Sequence, residues 1–341
     1  MSITVVRTDQ EPCWQAQLRE SMRSGQALLA RLGLDPAEVG FSEGASDSFP
    51  VKVPAAYLAR IRPGDPRDPL LLQVLASNRE LLDAPGFGRD PVGETGDANP
   101  MPGVIQKYHG RALLIASGGC AIHCRYCFRR HFPYGQNQNS RSQWARALSS
   151  LATDASISEV ILSGGDPLVL GDAQLTELVE LIGDMPHVRR LRIHTRLPVV
   201  IPDRVTDNLL AAICHPRLQT IVVIHSNHAN EIDDAVAQAL ESLRGQGISL
   251  LNQSVLLAGI NDSAAALVAL SERLFEAGVM PYYLHLLDRV QGAAHFDVPE
   301  ARARLLLTDV MGQLPGYLVP RLVREVEGAA SKIVIAADCA T

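Results

Sequence analysis

Residues 120–131 read Cys-Ala-Ile-His-Cys-Arg-Tyr-Cys-Phe-Arg-Arg-His, and the fold follows from what surrounds them. Cys120, Cys124 and Cys127 stand at spacing C-x3-C-x2-C. Thiolates are soft ligands, and three so close together hold zinc or an iron–sulfur cluster. A closed tetrahedral zinc site wants four ligands. No fourth cysteine is near, and His123 lies inside the loop, where it would have to fold back on its neighbours. Three thiolates on a [4Fe-4S] cluster instead leave one iron open, able to bind a small molecule and pass it an electron. The plainer alternatives are three buried cysteines or a zinc knuckle. Arg125, Arg129, Arg130 and His131 form a basic cluster beside the thiols. Such a run can be a solvated face; its place directly after the cysteine loop favours anion binding.

On both sides of this loop the pattern alternates short apolar runs with amphipathic stretches. Strands are expected at 112–116, 159–163, 190–194, 220–225, 249–255 and 282–286. Helices are expected at 142–151, 173–182, 206–214, 231–245, 264–277 and 299–313. Six strand–helix units imply a parallel sheet. Polar residues gather at the C-terminal end of every strand: Cys120, then Ser163 to Asp166, His194 to Arg196, His225 to His228, Asn252 to Ser254, and His285 to Asp288. A doubly wound sheet concentrates its site at one switch point, whereas a β/α barrel draws on all its strand ends. The expected fold class is therefore α/β, a partial (three-quarter) β/α barrel over residues 106–315. Residues 1–105 read as an N-terminal helical extension, with helices at 14–32, 53–61 and 69–76 and a loop rich in glycine, proline and acids from 84 to 102. No chemistry is expected there. Residues 316–341 form a C-terminal segment.

With 341 residues, 47% of them hydrophobic, a sizeable core is available. A net charge of −6 and a pI near 5.9 argue against nucleic-acid or membrane-surface binding. Cys13, Cys214 and Cys339 are scattered and read as ordinary thiols, with no disulfide framework. The N-terminal residues lack a signal-peptide core, and no apolar run would span a bilayer. A cytoplasmic location is expected, where reduced thiols and labile clusters survive.

Two further stretches carry chemistry. Ser163-Gly164-Gly165-Asp166-Pro167 closes the second strand. Glycines let backbone approach a ligand closely, and the acid can hold an ammonium group, although alone this could be a plain turn. Lys332 follows a small-residue loop, Gly328-Ala-Ala-Ser. A desolvated lysine can form a Schiff base, yet by itself a surface lysine is the better reading.

Taken together, these segments resemble the radical S-adenosylmethionine (radical SAM) enzymes, and within them the lysine 2,3-aminomutase family. The nearest branch is the shorter one that serves elongation factor P β-lysylation. The resemblance runs from about Val51 to Lys332. It rests on the stretches 107–114, 118–134, 163–168, 192–198, 252–257, 281–285 and 291–296. It implies a [4Fe-4S] cluster on Cys120, Cys124 and Cys127, with S-adenosyl-L-methionine at its open iron and the methionine amino group at Gly164, Gly165 and Asp166. It implies pyridoxal 5'-phosphate on Lys332, Tyr108 packed on the pyridoxal ring, and Arg111 near the phosphate. Gln253 is the preferred further cofactor contact. Arg129 would bind the substrate carboxylate, and Asp288 and Glu325 its distal ammonium, making a ruler for lysine. His194, Arg196, His225, Asn227, His228 and Asn252 could be structural or face a cofactor; His295 and Asp297 read as loop residues.

The sequence departs from the family in three places. Glu325 stands where the free-lysine enzymes have aspartate. Ile333-Val334 follows the lysine where Thr-Pro is more usual. Only Cys339 occupies the region of their zinc-binding tail, so no zinc is expected. The implied activity is a 1,2-amino shift converting L-lysine to β-lysine, the (R) form in this branch. A separate ligase would then attach the product to elongation factor P. A flavodoxin or ferredoxin would supply electrons, and the oligomeric state stays open. The alternatives are a radical SAM enzyme acting on another amino acid, and a zinc-binding module without activity.

Overall fold

The computed structural model describes residues 13–137 and 141–338. Its framework is a single nine-stranded sheet whose spatial order is its sequence order. The strands are β1 (Val104–Ile105), β2 (Arg111–Ser117), β3 (Glu159–Gly164), β4 (Arg190–Thr195), β5 (Gln219–His225), β6 (Ser249–Val255), β7 (Met280–His285), β8 (Arg321–Arg324) and β9 (Ile333–Val334). Strands β2 to β8 pair in parallel, while β1 and β9 flank them antiparallel. Among the described residues no ladder joins β1 to β9, so the barrel is open, as the strand–helix count predicts.

Alternation along the strands explains the layering. On β2, Ala112, Leu114 and Ala116 join the main core; on β3, Val160 and Leu162 do, and on β4, Leu191 and Ile193. The intervening residues take the other face, among them Ser163 and His194. Covering helices supply matching stripes. In the helix Asp172–Gly183, Leu175, Leu178, Val179 and Ile182 are buried at helical spacing. In the helix Asp234–Gly245, capped by the Asp233 side chain, Val236, Ala239, Leu240 and Leu243 are buried. Register then aligns the polar strand ends: Ile115 opposite Ser163, His194 opposite Val223, His225 opposite Gln253, and Val255 opposite His285.

Besides the antiparallel edge strands β1 and β9, three features differ from the sequence-based expectation. The long helix at 14–32 is two short ones, Cys13–Arg19 and Gly25–Leu32. Ser24 caps the second by accepting from the Ala27 N–H, and Met22 bridges to Val53 between them. The sheet gains a seventh parallel strand, β8, too short and too charged at its ends to read from pattern. And residues 84–102 form a strap. Gly88 N–H donates to the Arg289 carbonyl at 2.9 Å, Gln291 N–H to the Gly88 carbonyl at 2.8 Å, and Gln106 N–H to the Ala98 carbonyl at 2.8 Å. Cys339 and the first twelve residues lie outside the described residues. Among the described residues no helix is long and apolar enough to cross a membrane.

Candidate active site

The cysteine loop leaves the end of β2 and is stitched to the N-terminal extension. Lys52 Nζ donates to the Cys120 carbonyl at 2.6 Å, His123 N–H to the Lys52 carbonyl at 3.1 Å, and Arg125 N–H to the Gln73 carbonyl at 2.9 Å. On its other side the loop lies directly against the end of β3. A Cβ on Gly165 would sit 2.3 Å from the Gly119 carbonyl oxygen and 2.9 Å from Cys120 Sγ. Gly164 adopts φ +125°, and a Cβ there would meet the Ser117 carbonyl oxygen at 2.2 Å. The glycines thus admit the cysteine loop itself. Asp166 is buried, and four internal donors use its carboxylate. Leu168 N–H and the Thr195 hydroxyl reach Oδ1, and Arg196 N–H and Leu197 N–H reach Oδ2. It ties the end of β3 to the end of β4.

The thiols share one environment. Burial pushes Cys120 up, reinforced by Cys127, Asp166 and Cys124. Burial, then Cys124, pushes Cys127 up to about 11. Such thiols are neutral when free and release protons on binding a soft metal. Three thiols that feel one another's charge and a backbone cradle too tight for a Cβ suit a cluster with one open position. Among the described residues no group of three or more His, Cys, Asp or Glu side chains stands assembled as a metal site. Arg196 reaches this loop from β4: its Nη1 donates to Cys124 Sγ, and its Nη2 to Glu231 and Gln73, both at 2.7 Å.

The basic cluster is a correction. Arg125 is fully buried and donates from Nε and Nη2 to Glu80 at 2.8 and 2.6 Å. Arg130 donates to the same carboxylate at 2.8 Å. The anion these two arginines bind is the protein's own. Arg129 donates from Nε and Nη2 to Glu94 at 2.6 and 2.9 Å, and from Nη1 to Ser163 Oγ at 3.0 Å and the Gly164 carbonyl at 3.2 Å. The extension expected to carry no chemistry therefore supplies Lys52, Gln73, Glu80 and Glu94 to this region.

Lys332 and Glu325 flank the turn between β8 and β9. Pairing of Arg324 with Ile333 closes the hairpin, and the two side chains form an ion pair. Lys107 Nζ donates to the other oxygen of Glu325 at 2.7 Å and stands 3.5 Å from Glu94. Burial alone would raise Glu325, but Lys332 and Lys107 pull it down to about 2. Asp288 goes the other way: burial, then the Glu325 charge, push it up to about 7. Tyr108 is raised by burial and by Glu325, and the Arg111 guanidinium stands 5.1 Å from its ring centroid. Arg111 Nε, His194 Nε2 and His285 Nε2 are buried without a hydrogen-bond partner among the described residues, and the Tyr108 hydroxyl lies against Glu325. Burial, then Lys332, holds His285 down to about 3; burial, then Arg192 and Lys332, holds His194 low. Unpartnered polar atoms beside a lysine are what a polar ligand would satisfy.

Most of the residues expected at the site are thus brought together around the barrel mouth. Gln253 lies beside His225 in register, on the face opposite the buried Asn252 and Ser254. Several of the ambiguous groups make internal hydrogen bonds. His225 Nε2 is 2.9 Å from the Tyr126 hydroxyl. Asn227 accepts from Val255 N–H, His228 from Asn230 N–H, and Asn252 from Ser226 N–H. Glu94 and Lys107 were missed as site residues: a lone acid in a glycine-rich loop gives no sign of its partner. A cleft of about 420 Å³ lies elsewhere, against Leu82, Phe87, Gln291 and Gly292.

The radical SAM superfamily model matches residues 114–270. An L-lysine 2,3-aminomutase of Escherichia coli K12 is 46% identical over 331 residues, 97% of this chain and 96% of the relative. One from Haemophilus influenzae is 45% identical over 97% of each chain. One from Clostridium subterminale is 32% identical over 94% of this chain and 76% of the relative. Among solved structures, native anSMEcpe with bound AdoMet is 14% identical, covers 59% of each chain and gives a TM-score of 0.44. The chain belongs to the lysine 2,3-aminomutase family of radical SAM enzymes.

Proposed function

We propose that the protein is an L-lysine 2,3-aminomutase, an isomerase that converts L-lysine to β-lysine, the (R) form. The observation that carries this reading is an unbroken run of contacts from the thiols to Lys332. The cysteine loop touches Gly165; Arg129 holds the Gly164 carbonyl and Glu94; Glu94 faces Lys107; Lys107 and Lys332 share Glu325.

Cys120, Cys124 and Cys127 would hold a [4Fe-4S] cluster, the Gly164–Gly165 backbone would border bound S-adenosylmethionine, and Lys332, Tyr108 and Arg111 would hold pyridoxal phosphate. When bound, these groups supply a hydrogen-abstracting radical and an electrophilic carbonyl for the amine. The chain's residues position and protect. The planar Arg129 fork suits a carboxylate. Asp288 and Glu325, whose charges feel one another, would take the distal ammonium. Lys332 must lose a proton before it can act as a nucleophile, and its ammonium now rests on Glu325; an arriving substrate ammonium takes that partner away. A flavodoxin- or ferredoxin-type donor, elongation factor P as destination of the product through a separate ligase, and a cytoplasmic location complete the proposal.

Borohydride reduction followed by peptide mass analysis tests the lysine assignment. A pyridoxyl label is expected on Lys332, and Lys332→Ala should lose it while retaining iron. The same label on another residue of the wild-type protein would overturn it.

A further inference from the structure

Resting on that reading, we infer that Glu94 is a specificity-determining residue: its carboxylate occupies the Arg129 fork as a surrogate that only a ligand with its own carboxylate displaces. Arginine offers five N–H donors. Four of Arg129's are spent, Nε and Nη2 on the two oxygens of Glu94 and both of Nη1 on Ser163 and Gly164. One remains, and a substrate carboxylate needs two on one edge to bind bidentately. The edge it needs is the one Glu94 holds.

Exchange is favoured over simple loss. Both partners are buried, and opening a buried pair leaves two uncompensated charges. An incoming carboxylate keeps Arg129 paired. The displaced Glu94 has a second cation already beside it, Lys107 at 3.5 Å, which at present donates to Glu325 at 2.7 Å. A ligand carrying both charges solves both problems: its carboxylate replaces Glu94, Glu94 draws Lys107 off Glu325, and its ammonium takes the oxygen Lys107 leaves. A diamine without a carboxylate cannot start the exchange. The strap makes the movement local, since its anchors at Gly88 and Ala98 lie on either side of Glu94.

The test is calorimetric titration of the reconstituted holoprotein, without reductant, with L-lysine and with cadaverine, which is lysine lacking its carboxylate. Glu94→Gln keeps the shape and removes the charge. It should bind L-lysine at least about tenfold more tightly than wild type, because the charge-assisted competitor is gone, and leave cadaverine affinity unchanged within about twofold. Weaker lysine binding by Glu94→Gln would overturn the inference, showing that Glu94 holds Arg129 in place. Arg129→Gln separates this from the underlying reading: a variant that binds lysine like wild type would refute Arg129 as the carboxylate site itself. Should Glu94→Gln not fold, hydrogen exchange of the wild-type strap decides. Lysine should speed exchange across residues 88–98 and cadaverine should not; a strap unaffected by lysine overturns the proposal.

Discussion

At Asp288 two environments compete. Burial and the neighbouring Glu325 charge favour its neutral form, while Lys332 and Lys107 favour the carboxylate, and the balance lies at about 7. A substrate ammonium pairs with the ionised form. L-Lysine binding should therefore weaken about tenfold between pH 8 and pH 6 as Asp288 takes up a proton. His225 and His285, held down to about 3, stay neutral and add nothing in that range. Asp288→Asn should bind weakly with a flat profile; a flat wild-type titration would contradict the assignment. Arg196 makes a second point at this scale. Its donation to Cys124 places a cation beside the thiols. Arg196→Gln should move the potential of the reconstituted cluster tens of millivolts more negative at unchanged iron content, since hydrogen bonds and charge near the sulfurs set that potential. An unchanged potential would refute the contact's role. The thiols themselves were legible because their spacing is local. Glu80 and Glu94 were not, because each meets an arginine 35 or more residues away and nothing nearby in the chain marks the pairing.

The glycines at the end of β3 show how an element places chemistry. Gly165→Ala would drive a methyl into the Gly119 carbonyl and Cys120 Sγ. It should cost roughly 2 kcal/mol or more of stability and lower the iron bound per chain. Thermal unfolding and iron analysis check both, and wild-type values for each would mean that the cysteine loop does not rest on this backbone. At the same scale Glu80 neutralises both Arg125 and Arg130. Glu80→Ala should destabilise by about 3–5 kcal/mol, because it leaves two buried guanidinium groups facing each other. Denaturant unfolding measures it, and a loss under about 1 kcal/mol would show the pair to be solvated. Six of the parallel strands were readable as apolar runs ending in polar tips. Strand β8 was not: four residues, Arg-Leu-Val-Arg, are too few for a period to emerge, and only pairing with β7 makes them a strand. The strap at 84–102 was correctly read as lacking helix and strand, but its contacts with residues 289–291 depend on the finished barrel.

Across the whole molecule, the open barrel and its edges act together. β2 to β7 present the thiol loop and the histidines at the strand ends, the turn between β8 and β9 carries Glu325 and Lys332, and the N-terminal extension supplies Glu94. The alternation of strands and helices was enough to expect the barrel. The joining of its two chemical ends through Arg129, Glu94 and Lys107 could be seen only once segments distant in sequence had been folded together. That joining is the central claim, and one anaerobic assay tests it most directly. Protein reconstituted with iron and sulfide is given pyridoxal phosphate, S-adenosylmethionine, dithionite and L-lysine, and each component is omitted in turn. The account predicts β-lysine in the complete mixture and in none of the omissions. 5′-Deoxyadenosine without β-lysine would contradict the substrate, and neither product from protein with a full cluster would contradict the account as a whole.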